Sequence, residues 1–230
     1  MTEHPGTTLA PFGEEIWTIP RPMRFWLVET GTRMTVIRLR GGELFVHSPV
    51  GLDEGLRRAV DALGAVRAIV APSRFHHVFV PQWIAAYPEA LVCACPGLER
   101  KRADVSWGHI LGDEPHEAWR GEIDQVWFSA RSLEDEVVFL HPRSRTLVCA
   151  DMVFNLSRHP SLLTRAVAWA SGNHGPGATY LERLLIRDRR AARAQMDRML
   201  AWDFERILLA HGEPVLAGGR EVLRRAYEWL

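Results

Sequence analysis

The sequence has little of what most readily assigns a chain to a class. Among 230 residues there are three cysteines, one lysine (Lys101) and no net charge, 28 basic side chains balancing 28 acidic ones. That balance gives no reason to expect nucleic acid or an anionic membrane as the main partner, and a small-molecule substrate or ligand is expected instead. The cysteines are odd in number and too few for a disulfide framework. Cys93, Cys95 and Cys149 lie in apolar runs and read as small buried hydrophobes. Cys93 and Cys95 stand two apart on an expected strand and share a face, which brings a zinc or redox pair within reach without favouring it. No apolar stretch approaches the roughly 20 residues that span a bilayer, and the first residues lack a signal-peptide pattern, so a soluble cytoplasmic protein is expected. Also missing are a Gly-x-Ser-x-Gly elbow, a phosphate-cradling loop ending in Lys-Ser or Lys-Thr, a His-Glu-x-x-His helix and a dinucleotide fingerprint. The Gly-rich segment 172–177 has the wrong spacing for any of these.

With 47% hydrophobic and 24% charged residues, the chain has the means to bury a full core, and its length fits a single domain spanning 1–230. Residues 14–47 read as consecutive strands, over 15–19, 25–28, 34–39 and 43–47, with Gly41-Gly42 as the turn before the fourth. Leu52, Leu56, Val60 and Leu63 then recur at helical spacing, and Gly64 closes that helix before a strand over 66–71. A helix over 82–87, ended by Pro88, and a strand near 91–94 follow. A second meander is expected over 123–128, 136–140 and 146–149. Helices over 161–169 and 188–202 come next, the latter capped by Asp188, then a strand over 206–210 and a closing helix carrying Val222, Leu223, Tyr227 and Leu230. Meander, α/β, meander, α/β describes two similar halves face to face, with helices outside two packed sheets.

Three groups of metal-type side chains each follow a short apolar run. His76 and His77 follow Ala-Ile-Val-Ala-Pro, Asp151 follows Thr-Leu-Val-Cys-Ala, and His211 follows Arg-Ile-Leu-Leu-Ala. Such runs read as buried strands, whose ends are where α/β proteins collect their chemistry. A zinc or iron ion needs imidazoles and carboxylates projected from rigid elements, and these residues are of suitable type. Adjacent histidines point the same way only from a turn or a helix start; if one of the two binds, His77 is favoured.

The order of these segments resembles the metallo-β-lactamase-like superfamily of metallohydrolases, over most of the chain. The segment Ala71-Pro72-Ser73-Arg74-Phe75-His76-His77 resembles its first motif, His-x-His-x-Asp-His. Cys149-Ala150-Asp151 resembles the bridging aspartate, and Ala210-His211-Gly212 the final histidine. The resemblance implies a four-layer αβ/βα sandwich of two mixed sheets flanked by outer helices. Departures are equally plain. Pro72 and Arg74 stand where the first two histidines would be, His76 replaces an aspartate, and residues 129–135 contain no histidine where a Gly-His-Thr-Pro-Gly-like turn would supply one. What survives is one metal position, made of His76 or His77, Asp151 and His211.

Three protein ligands plus water make an open mononuclear site for one zinc or iron ion, able to lower the pKa of water to about 7 for attack on a small ester, amide or lactone. Arg74 is expected in the place of the missing cation, neutralising Asp151 or gripping an anionic group. Glu136, in the region that lost its histidine, is a candidate acid/base. His47 ends the fourth strand, where the superfamily often has a turn near the metals, and His141 also ends a strand. His174 lies in a loop that could close over a ligand, and Trp83, Trp107, Trp119, Trp127 and Trp169 serve as core or as pocket walls. A metal-dependent hydrolase is the first expectation, a catalytically inactive binding or assembly module the second, and redox or sulfur chemistry at a single iron the third.

Overall fold

The computed structural model describes residues 8–130 and 135–230. The chain begins with β1 (Ala10–Gly13) and β2 (Ile16–Arg21), makes a small hairpin of β3 (Arg24–Phe25) and β4 (Val28–Glu29), and returns through β5 (Thr32–Arg38) and β6 (Leu44–His47). There follow α1 (Glu54–Asp61), β7 (Val66–Ala71), α2 (Val80–Ala86), β8 (Leu91–Ala94), α3 (Leu98–Lys101) and β9 (His109–Ile110). The second run comprises β10 (Asp124–Phe128), β11 (Glu136–His141), β12 (Thr146–Val148), β13 (Phe154–Asn155), α4 (Leu162–Ala170), α5 (Leu181–Leu185) and α6 (Arg189–Leu200). Last come β14 (Arg206–Leu208), β15 (His211–Gly212) and α7 (Gly219–Ala226).

One sheet has the order β1-β2-β5-β6-β7-β8-β9, antiparallel as far as β6 and parallel beyond it. The other has the order β10-β11-β12-β14, with only the β12–β14 pair parallel. Side chains alternate between the faces of each strand, so each sheet contributes to two apolar layers. On β11, Val137 and Phe139 enter the layer between the sheets with Phe45, Val70 and Leu208, while Val138 and Leu140 join Met196, Leu223 and Tyr227. The outer face of the first sheet packs Val36, Val46 and Ile69 against Leu56, Val60 and Trp83 of α1 and α2. The result is the four-layer αβ/βα sandwich.

Local chemistry explains the element boundaries. Asp53 caps α1 by accepting the amide of Leu56, and the Asp188 carboxylate accepts the amides of Arg190 and Ala191 at the start of α6. Gly64 has φ +154°, and a Cβ there would lie 2.0 Å from the Gly42 carbonyl oxygen, so the chain enters β7 only through glycine. The strand expected over 25–28 is instead the tip of the β3–β4 hairpin, with Trp26 at φ +55° and Phe25, Trp26 and Leu27 exposed. Among the described residues, no helix is long and apolar enough to cross a membrane. The three cysteines are buried, and burial pushes the Cys93 thiol up to about 12. Trp83 and Trp119 are core, whereas Trp169 is exposed.

Candidate metal centre

The strands that end at the site come from both sheets. His76 lies on the turn after β7, Asp151 follows β12, and His211 begins β15 just beyond β14. The segment before His76 is tied to the second sheet, since Val137 donates its amide to the Pro72 carbonyl at 2.8 Å and Ser73 bridges Glu136. The fully buried Glu136 carboxylate in turn accepts the amide of Asp151 at 2.9 Å and that of Ala150. The backbone carrying Asp151 is thus fixed before any ligand is considered.

Asp151 Oδ1 lies 3.3 Å from His76 Nε2 and 3.2 Å from His211 Nε2, and one donor atom from each residue falls within 4.8 Å of the others. Each group is held from behind. Ser48 Oγ is 2.7 Å from His76 Nδ1, His211 Nδ1 donates to the Gly31 carbonyl at 2.8 Å, and Ser73 Oγ donates to Asp151 Oδ2 at 2.8 Å. Phe154 stacks on the His211 ring, with centroids 5.4 Å apart.

The chemistry of this donor set calls for a cation. A carbonyl only accepts, so His211 Nδ1 carries the hydrogen, and in a neutral ring Nε2 then presents a lone pair to an ionised carboxylate oxygen. Two lone pairs 3.2 Å apart repel unless a proton or a metal ion lies between them. His76 Nε2 approaches the same oxygen, so two imidazoles and one carboxylate converge as the ligands of a single zinc or iron ion do.

The titration behaviour follows. Burial alone would raise the Asp151 carboxyl, but the charges and hydrogen bonds of His76 and His211 outweigh it and hold the group well below its ordinary value of 3.8. Burial lowers His211, and the hydrogen bond and charge of Asp151 overcome that to raise it above 6.5. The stabilisation from His211 is therefore complete below 6.5 and lost as pH rises through its folded value. That from Asp151 is complete above 3.8 and lost as pH falls. A metal ion must displace the His211 proton. Between pH 6.5 and the raised value, binding is expected to release about one proton and to tighten about tenfold per pH unit, as calorimetry in buffers of different ionisation enthalpy would read. Binding with no proton release in that window would contradict the assignment.

Several expected placements are corrected. His76, not His77, joins the group: the turn diverges the two rings, and His77 Nδ1 accepts from Arg102 Nη1 at 2.9 Å. Burial, aided by Lys101 and Arg102, pushes His77 down to about 4. The Arg74 guanidinium packs over Gly97 after β8, while the groups that act on Asp151 are His76 and His211. Glu136 is not poised as an acid/base, because its carboxylate is committed to the amides of 150 and 151. His141 sits at the far end of β11, bonded to Ser144 Oγ at 2.8 Å, and His174 is exposed and stacked on Trp169. Of the segment expected to lack a ligand turn, residues 131–134 lie outside the described residues.

His47 does lie at the site. It is 1% exposed, packs edge-on against Phe139, and neither ring nitrogen has a partner among the described residues. Burial, together with the neighbouring His76, pushes it down to about 3, so it is neutral. Sequence reasoning missed Ser48, Ser73, Gly31 and Phe154. Only Ser73 carried a signal, from its place inside the His76 motif.

Gly212 locks His211 in place. Its φ is +100°, a Cβ would lie 2.0 Å from the Asn155 carbonyl oxygen, and Arg33 Nη2 donates to its own carbonyl at 2.9 Å. Gly212→Ala is expected to cost about 3 kcal/mol and roughly 6–12 °C in melting temperature. An unchanged melt would show that β13 and β15 part freely.

A family model described as a domain of unknown function (DUF4336) matches residues 13–175. No curated protein matches the sequence. Solved structures similar to this chain include the metallo-β-lactamase DIM-1 exposed to ceftazidime, at 15% identity, TM-score 0.67 and 99% coverage of both chains. The metallo-β-lactamase FIM-1 from Pseudomonas aeruginosa in its mono-zinc form is 13% identical, with TM-score 0.62 over 96% of this chain and 95% of that one. The metal-soaked flavodiiron core of Flv1 from Synechocystis sp. PCC6803 is also 13% identical, with TM-score 0.64 over 96% of this chain and 60% of that one. These likenesses establish the metallo-β-lactamase-like fold.

Proposed function

We propose that this chain, which belongs to the DUF4336 family (a domain of unknown function) and has the metallo-β-lactamase-like fold, is a metal-dependent hydrolase with a mononuclear site, acting on a small ester, amide or lactone. His76, Asp151 and His211 would hold one zinc or iron ion. The observation that carries this reading is the approach of two imidazole nitrogens to one carboxylate oxygen, with the far side of each ring already hydrogen-bonded. When bound, the ion supplies a Lewis acid and lowers the pKa of a coordinated water. The chain's own residues do the rest. Gly31 fixes the tautomer of His211, Ser73 and Glu136 hold Asp151, and His47 offers one donor and one acceptor, neutral throughout the physiological range. Pro72 and Arg74 supply no ligands for a second ion.

Elemental analysis of protein purified without added metal tests this directly, with about one equivalent of zinc or iron expected. Stripping the ion should lower the melting temperature, and restoring zinc should raise it. The absence of both stoichiometric metal and a melting shift would favour a binding or assembly module on the same fold.

A further inference from the structure

Helix α4 is inverted with respect to water. Its buried positions are Thr164 and Ala168, while its outward arc carries Leu162, Leu163, Val167 and Trp169, with Leu162 71% and Trp169 70% exposed. A helix on a protein surface ordinarily turns its apolar stripe inward. The β3–β4 hairpin adjoins it, because Thr164 Oγ1 donates to the Glu29 carbonyl at 3.1 Å. At that hairpin's tip Trp26 is 88% and Leu27 82% exposed, and Trp26 holds a left-handed φ of +55° that keeps the tip outward. Two adjacent elements, far apart in sequence, therefore each leave apolar side chains exposed, as interaction surfaces do.

The charge around this face has one sign. Arg158 and Arg165 are exposed beside and on α4, and Arg165 also edges a cleft of about 660 Å³ walled by Ala166 and Trp169. The only carboxylate of the hairpin, Glu29, is engaged by Arg24 at 2.5 Å. From 156 to 181 the chain carries Arg158 and Arg165 and no carboxylate. The zero net charge thus hides a basic, apolar region. A second copy docked symmetrically on this face would oppose arginine to arginine with no free carboxylate between them. An anionic lipid surface meets both features, taking Trp and Leu at the headgroup boundary and arginines against the phosphates.

We propose that the face formed by the β3–β4 hairpin and α4 docks on an anionic lipid bilayer. The hairpin runs on to Gly31, whose carbonyl accepts from His211, and Phe154, which stacks on His211, precedes α4 in the chain. The proposal does not depend on a bound ion and is tested on the protein as purified.

The experiment is co-sedimentation with vesicles of phosphatidylcholine alone and of phosphatidylcholine mixed with phosphatidylglycerol. Binding is expected only to the mixed vesicles, weakening as salt is added, with a blue shift of tryptophan emission. Arg165→Ala should weaken it about fivefold. Leu162→Ser/Leu163→Ser and, independently, Trp26→Asn should abolish it while melting as the parent does, since all three side chains are exposed and asparagine tolerates the left-handed turn. Three results would each overturn the proposal: no binding to the mixed vesicles, undiminished binding by both variants, or a concentration-dependent dimer that Leu162→Ser/Leu163→Ser dissociates.

Discussion

Replacing Asp151 with Ala is expected to abolish metal retention and, separately, to destabilise the metal-free protein by about 3–5 kcal/mol, or roughly 6–20 °C in melting temperature. Both effects come from one carboxylate. Oδ1 is the oxygen that faces the two imidazole Nε2 atoms, so without it His76 and His211 make a two-point site that water competes with. In the metal-free protein the same oxygen holds the His211 proton. Alanine leaves a buried imidazole facing no anion, and its pKa falls because only the backbone bonds to Gly31 and Thr30 then oppose burial. Asp151→Asn separates the two losses. It keeps the volume and an oxygen for Ser73, so its melt should stay nearer the parent's, while metal affinity falls more than about 100-fold. Elemental analysis and melting curves of the three proteins suffice. Stoichiometric metal in Asp151→Ala would place the ion elsewhere.

The parts of this centre that were legible in the sequence are those set by one-dimensional pattern. The buried strands β7, β8 and β12 announce themselves as Val- and Leu-rich runs, and strand ends then locate Asp151 and His211 without knowledge of their partners. The Asp188 cap was equally legible, since a cap acts on amides two or three residues away. Direction was not legible. Whether His76 or His77 faces Asp151 depends on the turn after Ser73, fixed by pairing with β11 more than 60 positions on. Arg74 lies in that same turn and faces away, onto Gly97. The 25–28 run has strand composition, yet no sheet neighbour covers it, and its apolar residues stay outside.

Glu136 shows most sharply how far position alone can mislead. A carboxylate beginning a strand beside a metal motif has the placement of an acid/base, but here it is fully buried and binds backbone. Its main chain bridges Ser73, which holds Asp151 Oδ2, and its side chain holds the amides of Ala150 and Asp151. Its expected role is to position Asp151. Glu136→Ala removes two charge-assisted hydrogen bonds and leaves two buried amides unpaired, an expected loss of about 3–6 kcal/mol. Glu136→Gln is the more telling variant. Its single oxygen serves one amide, while its NH₂ group opposes the other N–H, so it should still lose about 2–3 kcal/mol and bind metal 10–100-fold more weakly as Asp151 drifts. An acid/base would behave otherwise: Glu136→Gln would fold and bind metal like the parent and lose only turnover. Melting curves and metal titrations of Glu136→Gln therefore decide between the two roles before any substrate is known.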